Sequence, residues 1–422
     1  MREDFLQYVW KNGLYKNFRL RTTTGKEVVV KTPGIRNRDA GPDFLFSCLE
    51  IEGVEIYGNI EIHMRNSDWY KHAHHKNPAY DNVILSVVRY ADIAIYNRNK
   101  CLIESLELEF ADNLLKEYEY IKDCMDIPKC GKRLNRLSPS RLNEILRMLA
   151  MERLEAKASN IKSQLENAKN DLEECFYRLL FKYWGGNLNS EAFYRLACIL
   201  PYRILIKNVS DQKRLEALLF GCSGLLVAEL TDAYSEDLRK EFAYLSRKYR
   251  LNSMSASEWR FMRARPMAFP TLRMAMAAAY LRSIPMLART IIETSDIETV
   301  KKQLNVRASG YWDRHFQFGK MSVFKIKRMG AVAQRTIVVN AVIPFVYMYG
   351  KLIGESSYTD KAVHWLECEK PEKNSVVSAW ERSGIELRTA LDTQAVTELS
   401  KVYCTAGNCA DCRIIREILS NS

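Results

Sequence analysis

What the 422-residue sequence lacks already narrows it. No run of about 18 apolar residues occurs. The nearest candidate, residues 337–348, is broken by Asn340 and Pro344 and is expected as a buried helix. Glu3 and Asp4 stand where a secretory leader needs positive charge, so export by that route is not expected. There is no Gly-x-Gly-x-x-Gly, no Gly-x-x-x-x-Gly-Lys and no Gly-x-Ser-x-Gly, which argues against a phosphate-cradling loop and a hydrolase elbow. Gly and Pro are few, at 18 and 11, and no low-complexity tract or internal repeat interrupts the chain, so it is expected to be folded almost throughout. Eleven cysteines, an odd number scattered over a long chain, fit reduced thiols in the cytoplasm with one metal site better than a disulfide framework.

The chain is strongly basic, with a net charge of +12 that is unevenly placed. Between Arg260 and Thr336 there are fifteen Lys or Arg against four acids. Such a concentration attracts polyanions, nucleic acid first among them, and Arg263 and Arg265 are candidate contacts. A solvated basic surface without a partner is the other reading. Tyr311, Trp312, Phe316 and Phe318 in the same segment are read either as base-stacking platforms or as packing.

Periodicity predicts an α+β protein. Phe5, Leu6, Val9, Trp10 and Leu14 form one helical stripe, and residues 18–32 read as a hairpin. Strands are expected over 44–51 and 54–64, then a short helix over 67–76 capped by Ser67 or Asp68. The apolar, β-branched run Val83–Val88 reads as a strand buried on both faces. From Ser138–Pro139 the period becomes helical and stays so. Three regions are expected: an α/β domain over 1–130, a helical domain with a basic end over 131–336, and a helical region over 337–422 that carries a cysteine cluster.

Candidate chemistry gathers between Gly41 and Tyr90. In a strand, residues two apart share a face, so Glu61 and His63 project together, and Asp43 at the head of the preceding strand can converge on them. Two carboxylates and a further polar ligand suit Mg²⁺ or Mn²⁺ acting on a phosphodiester. The bland alternative has Asp43 capping a turn and Glu61 paired with Arg65 on a solvated face. His72, His74 and His75 are read as zinc ligands, as helpers of the Glu61 site, or as surface residues. Arg36, Arg38, Arg65, His72 and His74 are the nearby candidates for holding substrate. At the other end, Cys404-x4-Cys409-x2-Cys412 suits zinc or an iron–sulfur cluster, with Cys368 the nearest fourth ligand and Cys124 and Cys130 the distant ones.

Pro42-Asp43, seventeen intervening residues and Glu61-Ile62-His63, in an α-β-β-β-α-β run, resemble the PD-(D/E)XK nuclease superfamily. The resemblance implies a restriction-endonuclease-like fold, metal ligation by Asp43 and Glu61, a supporting role for Glu3 on the first helix, and cleavage of DNA or RNA. His63 stands where that superfamily usually has Lys. The competing class is a non-catalytic nucleic-acid-binding or assembly protein on the same fold. A third reading, a hydrolase of small phosphorylated substrates, requires no basic segment at the site. Across the chain, Ala40-Gly-Pro-Asp-Phe44, Gly58-Asn-Ile-Glu-Ile-His63, Ser67-Asp-Trp69, Tyr80-Asp-Asn-Val-Ile-Leu85 and the terminal Tyr403-Cys404 cluster look like one uncharacterised bacterial family, a domain of unknown function.

Overall fold

The computed structural model describes residues 3–16, 20–37, 39–124, 128–227 and 232–420. They form two compact units. The first comprises Met1–Ile145, Ala379–Ile385 and Leu399–Ser422, and the second Leu146–Ser378 and Glu386–Glu398. The chain passes from the first unit to the second after Ile145, returns for Ala379–Ile385 and returns again at Leu399. Its last helix, Arg413–Ser420, buries Ile414, Ile415, Ile418 and Leu419 on one face, and that face is completed by the first unit, against helix Asp112–Asp123.

The first unit is built on a seven-stranded sheet. Helix α1 (Glu3–Asn12) buries Phe5, Leu6, Tyr8, Val9 and Trp10 and stops at Gly13, whose φ of +63° suits a residue without a Cβ. The strands are β1 (Leu20–Arg21), β2 (Glu27–Thr32), β3 (Ile35–Arg36), β4 (Phe44–Ile51), β5 (Val54–Arg65), β6 (Val83–Tyr90), β7 (Ile95–Tyr96), β8 (Leu102–Ile103) and β9 (Ser105–Glu107). The sheet order is β1-β2-β4-β5-β6-β9 with β3 paired to β4, and β7 and β8 form a separate hairpin. The first four strands run antiparallel, while β5-β6 and β6-β9 are parallel. As its composition predicts, β6 is buried on both faces from Leu85 to Val88 apart from its ends.

Two local features aim the functional side chains. In β4 a bulge shifts the register between Phe44↔Ile60 and Ser47↔Gly58, leaving Phe46 at φ +58°, and so brings Asp43 opposite Glu61. In the β5–β6 connection the expected ten-residue helix is not formed. Helix α2 covers only Ser67–Lys71, because Ala73 turns into the left-handed region at φ +57° and a 3₁₀ turn, His74–Lys76, follows. Neither Ser67 nor Asp68 is its cap: Asn66 precedes the helix, and the Asp68 carboxylate accepts the Arg65 amide at 3.0 Å.

The second unit is helical. Its most apolar element runs from Ala331 to Ile353, 23 residues, long and apolar enough to cross a membrane by length and composition, yet two-thirds buried inside the protein. A π-turn over Val338–Val342 precedes Pro344, and Asn340 there accepts from Lys157 Nζ at 2.8 Å. These polar contacts mark a core helix.

Candidate metal and substrate site

Glu61 and His63 do not lie on a solvated face. Helix α1 packs against β5, and Glu61 and His63 are only 5% and 2% exposed. Buried carboxylates must be hydrogen-bonded or neutral. Here the Asp43 amide donates to Glu61 Oε2 at 3.0 Å, and the Ile62 amide donates to Asp43 Oδ2 at 3.0 Å. The first bond ties the Asp43 backbone to the Glu61 carboxylate, so the two acids share one pocket. Gln7 Nε2 donates to Asp43 Oδ1 at 2.8 Å, and Arg36 donates to Gln7 Oε1 at 2.7 Å. Glu3, one turn before Gln7 on the same helix face, takes the Met64 amide and faces Asp43 and His72.

Three imidazoles complete the pocket. The nitrogens of His63, His72 and His74 all lie within 4.8 Å of one another. His63 Nε2 is 3.2 Å from His72 Nδ1 and 3.5 Å from Glu61 Oε1, while His74 Nε2 is 3.3 Å from the same oxygen. Four ligands held ~2.1 Å from one tetrahedral ion stand ~3.4 Å apart along each edge. The three separations of 3.2, 3.5 and 3.3 Å are close to such an edge. His74 makes no hydrogen bond through Nε2 and His63 Nδ1 is buried without a partner, while His63 Nε2 shares a hydrogen bond with His72 Nδ1. The residues present fit a metal ion, with exposed His72 on the solvent side.

The His loop is held by a small core of Trp69, Tyr80, Val83, Ile95 and Ile103. Tyr80 stacks on His74 at 3.9 Å, and Trp69 Nε1 is anchored on the Tyr96 carbonyl at 3.1 Å. The turn at Ala73 is what lets His72 and His74 face the same way, which a continuous helix forbids.

Electrostatics follow from this burial. Burial, then the charge of Glu61, raises Asp43 to about 7. Burial raises Glu61 to about 8 despite the Asp43 amide. Burial, then His74 and His72, lowers His63 to about 3, so its imidazole is neutral at pH 7. The neutral His63 imidazole beside acids that ionise near neutrality belongs to a donor set that exchanges protons for a cation.

Of the residues expected at the site, Glu3, Asp43, Glu61, His63, His72 and His74 come together. Arg36 reaches Asp43 only through Gln7, a residue the sequence reading missed although its spacing from Glu3 is a helical signal. Arg65 is exposed over the Tyr90 ring, and Lys71 is bound to Asp68 at 2.6 Å. Arg38 lies outside the described residues. Arg263 and Arg265 belong to the second unit, where they line a cavity of about 580 Å³ with Tyr183, Leu188 and Met267. Much of the basic segment is spent internally: Lys301 and Arg335 pair with buried Glu369, Arg307 with Asp313, and Lys327 is buried on the Trp312 and His315 carbonyls. Trp312 and Phe318 are buried and Tyr311 is stacked between Tyr234 and His315, so these rings pack. Cys368, expected as the fourth thiolate, instead lies in the second unit with its sulfur 3.4 Å from His364 Nε2.

An α+β sheet unit with a His-rich pocket able to hold a metal, joined in one chain to a mostly helical unit, is the class these features define. The chain belongs to the DUF2851 family, proteins of unknown function, whose model matches residues 3–375. It matches no curated protein and no solved structure.

Proposed function

We propose that the protein is a metal-dependent nuclease, hydrolysing phosphodiester bonds in DNA or RNA at the Glu61 pocket. The observation that carries this reading is the convergence of the His63, His72 and His74 nitrogens within 4.8 Å of one another, with Glu61 3.5 and 3.3 Å from His63 and His74 and with Asp43 and Glu3 beside them. The strand order, an antiparallel β2-β4-β5 meander followed by parallel β6, supports a restriction-endonuclease-like unit. Three imidazoles and one carboxylate favour Mn²⁺ or Zn²⁺ over Mg²⁺, which prefers oxygen ligands. A divalent ion there would polarise a phosphoryl oxygen and acidify its bound water. Asp43, ionising near neutrality, is suited to accept a proton from the attacking water. Arg36 acts through Gln7 to hold that carboxylate in place, and the basic second unit supplies affinity for a polyanion.

One observation favours a second reading, a nucleic-acid-binding or assembly protein without cleavage. His63 occupies the place of the usual Lys, and Lys71, the nearest substitute in sequence, is turned away onto Asp68. The deciding experiment is cleavage of labelled single- and double-stranded DNA and RNA with Mn²⁺, Zn²⁺ or Mg²⁺, comparing wild type with Glu61→Gln. Cleavage lost at least 10³-fold in the variant is the expected result. Cleavage retained in Glu61→Gln overturns the site, and salt-sensitive binding without cleavage in both proteins establishes the second reading.

A further inference from the structure

The last 24 residues, from Leu399 to Ser422, fold into the first unit rather than the second, and they bring three of the eleven cysteines with them. Helix Arg413–Ser420 packs against helix Asp112–Asp123 and the 3₁₀ turn Gly131–Arg136. Cys130 immediately precedes that turn. The thiols of Cys412, Cys404 and Cys409 are its electrostatic neighbours, and Cys412 and Cys409 in turn surround Cys404. Cys130 and Cys412 are 4% and 5% exposed, and none of the four is oxidised to a disulfide.

A second, independent observation points into the same place. Tyr8 on α1 is 1% exposed, its hydroxyl has no hydrogen-bond partner, and its electrostatic neighbours are Cys412 and Cys409. A phenol buried without a partner is destabilising unless something at the site receives its proton in a hydrogen bond. A metal-bound thiolate is a good acceptor. Lys129, next to Cys404 and Cys409, adds the positive charge that favours thiolates.

We infer that Cys130, Cys404, Cys409 and Cys412 form a four-thiolate site for a thiophilic metal centre, a zinc ion or an iron–sulfur cluster, that fastens the end of the chain to the sheet unit. Cys368 is not one of its ligands. Thiols must lose their protons to bind a metal, so filling the site releases protons and its stabilisation is conditional on the metal. The centre also bears on α1. Lys11 on α1 pairs with Asp411, and the same helix carries Tyr8 and brings Gln7 and Glu3 to Asp43. An effect on cleavage rests on the nuclease reading; the metal centre itself does not.

The test is metal and sulfide analysis of the full chain purified without oxygen, for wild type, Cys130→Ser, Cys412→Ser and Cys368→Ser, in a His72→Ala, His74→Ala background that removes two of the three imidazoles of the other site. Expected is either about one zinc, or iron with acid-labile sulfide and a visible absorption band, retained in Cys368→Ser and lost in the other two. Because Cys130→Ser and Cys412→Ser can fail to fold, alkylation of the His72→Ala, His74→Ala protein with all its cysteines intact, using iodoacetamide and read by mass spectrometry with and without chelator, gives an independent answer. Joint protection of Cys130, Cys404, Cys409 and Cys412, lost together on chelation, supports the site. A folded chain without metal, or a metal retained in Cys130→Ser, overturns it.

Discussion

Glu61 is the residue at which stability and function pull apart. Its folded pKa, about 8, lies above the ordinary 4.5, so in metal-free protein the unfolded chain gives up this proton first as pH rises. Stability without metal therefore falls between about pH 4.5 and pH 8. Glu61→Gln, which keeps the shape and never ionises, should stabilise the chelator-treated protein by about 2–4 kcal/mol at pH 8 and by almost nothing at pH 4. In Mn²⁺ or Zn²⁺ titrations the same variant should lose affinity at least tenfold. Urea unfolding at the two pH values checks the first claim; equal stability at pH 8 refutes it. Glu369 has the opposite sign. Burial raises it, but hydrogen bonds from Lys301 and Arg335 outweigh burial and hold it below 4.5. Its contribution is present above the unfolded pKa and is lost as pH falls through the lowered folded value. Glu369→Gln leaves two cations facing an uncharged amide and should cost ~3–5 kcal/mol at pH 7, a difference that closes in acid. A gap independent of pH would contradict this account. The residue types at both places were legible in the sequence. What was not legible is that Glu369, an ordinary acid near the end of a helix, absorbs two of the cations counted toward a nucleic-acid surface.

At the scale of elements, the site depends on two departures from regular structure. The β4 bulge sets Asp43 against Glu61, and the left-handed turn at Ala73 folds His74 back onto β5. A β-branched side chain resists positive φ, so Ala73→Val should destabilise the protein by ~1–2 kcal/mol and weaken metal binding at least tenfold, whereas Ala73→Gly should retain both. Calorimetric titration with Mn²⁺ or Zn²⁺ reads the effect, and unaltered affinity in Ala73→Val would show that the turn does not position the histidines. Strands β4, β5 and β6 could be read from period and β-branching because those patterns are local. The helix expected over 67–76 was misread because an Ala gives no signal that it will adopt φ +57°. Its conformation is imposed by the packing of Trp69 and Tyr80 on either side.

For the whole molecule, the division of the chain is not the order of its sequence. Leu399–Ser422 belongs with the opening sheet unit and not with the helices that precede it. Removing these residues should therefore expose residues 3–145 to limited proteolysis while fragments of 146–378 persist. Unchanged resistance of the amino-terminal unit would show that the tail adds nothing to its core. The positive charge is likewise a property of the whole: +12 overall predicts that any nucleic-acid affinity falls as salt rises. The internal ion pairs of the basic segment make that dependence shallower than fifteen cations would produce. The sequence by itself determined the α+β order, the central buried strand and the shared face of Glu61 and His63, because each rests on residues near one another along the chain. Only the tertiary structure decided that His72 and His74 join that face, that Gln7 holds Asp43, and that the terminal cysteines share a unit with Cys130 and not with Cys368. Those pairings depend on turn geometry and chain return, and burial of distant apolar faces, which no local pattern encodes, sets both.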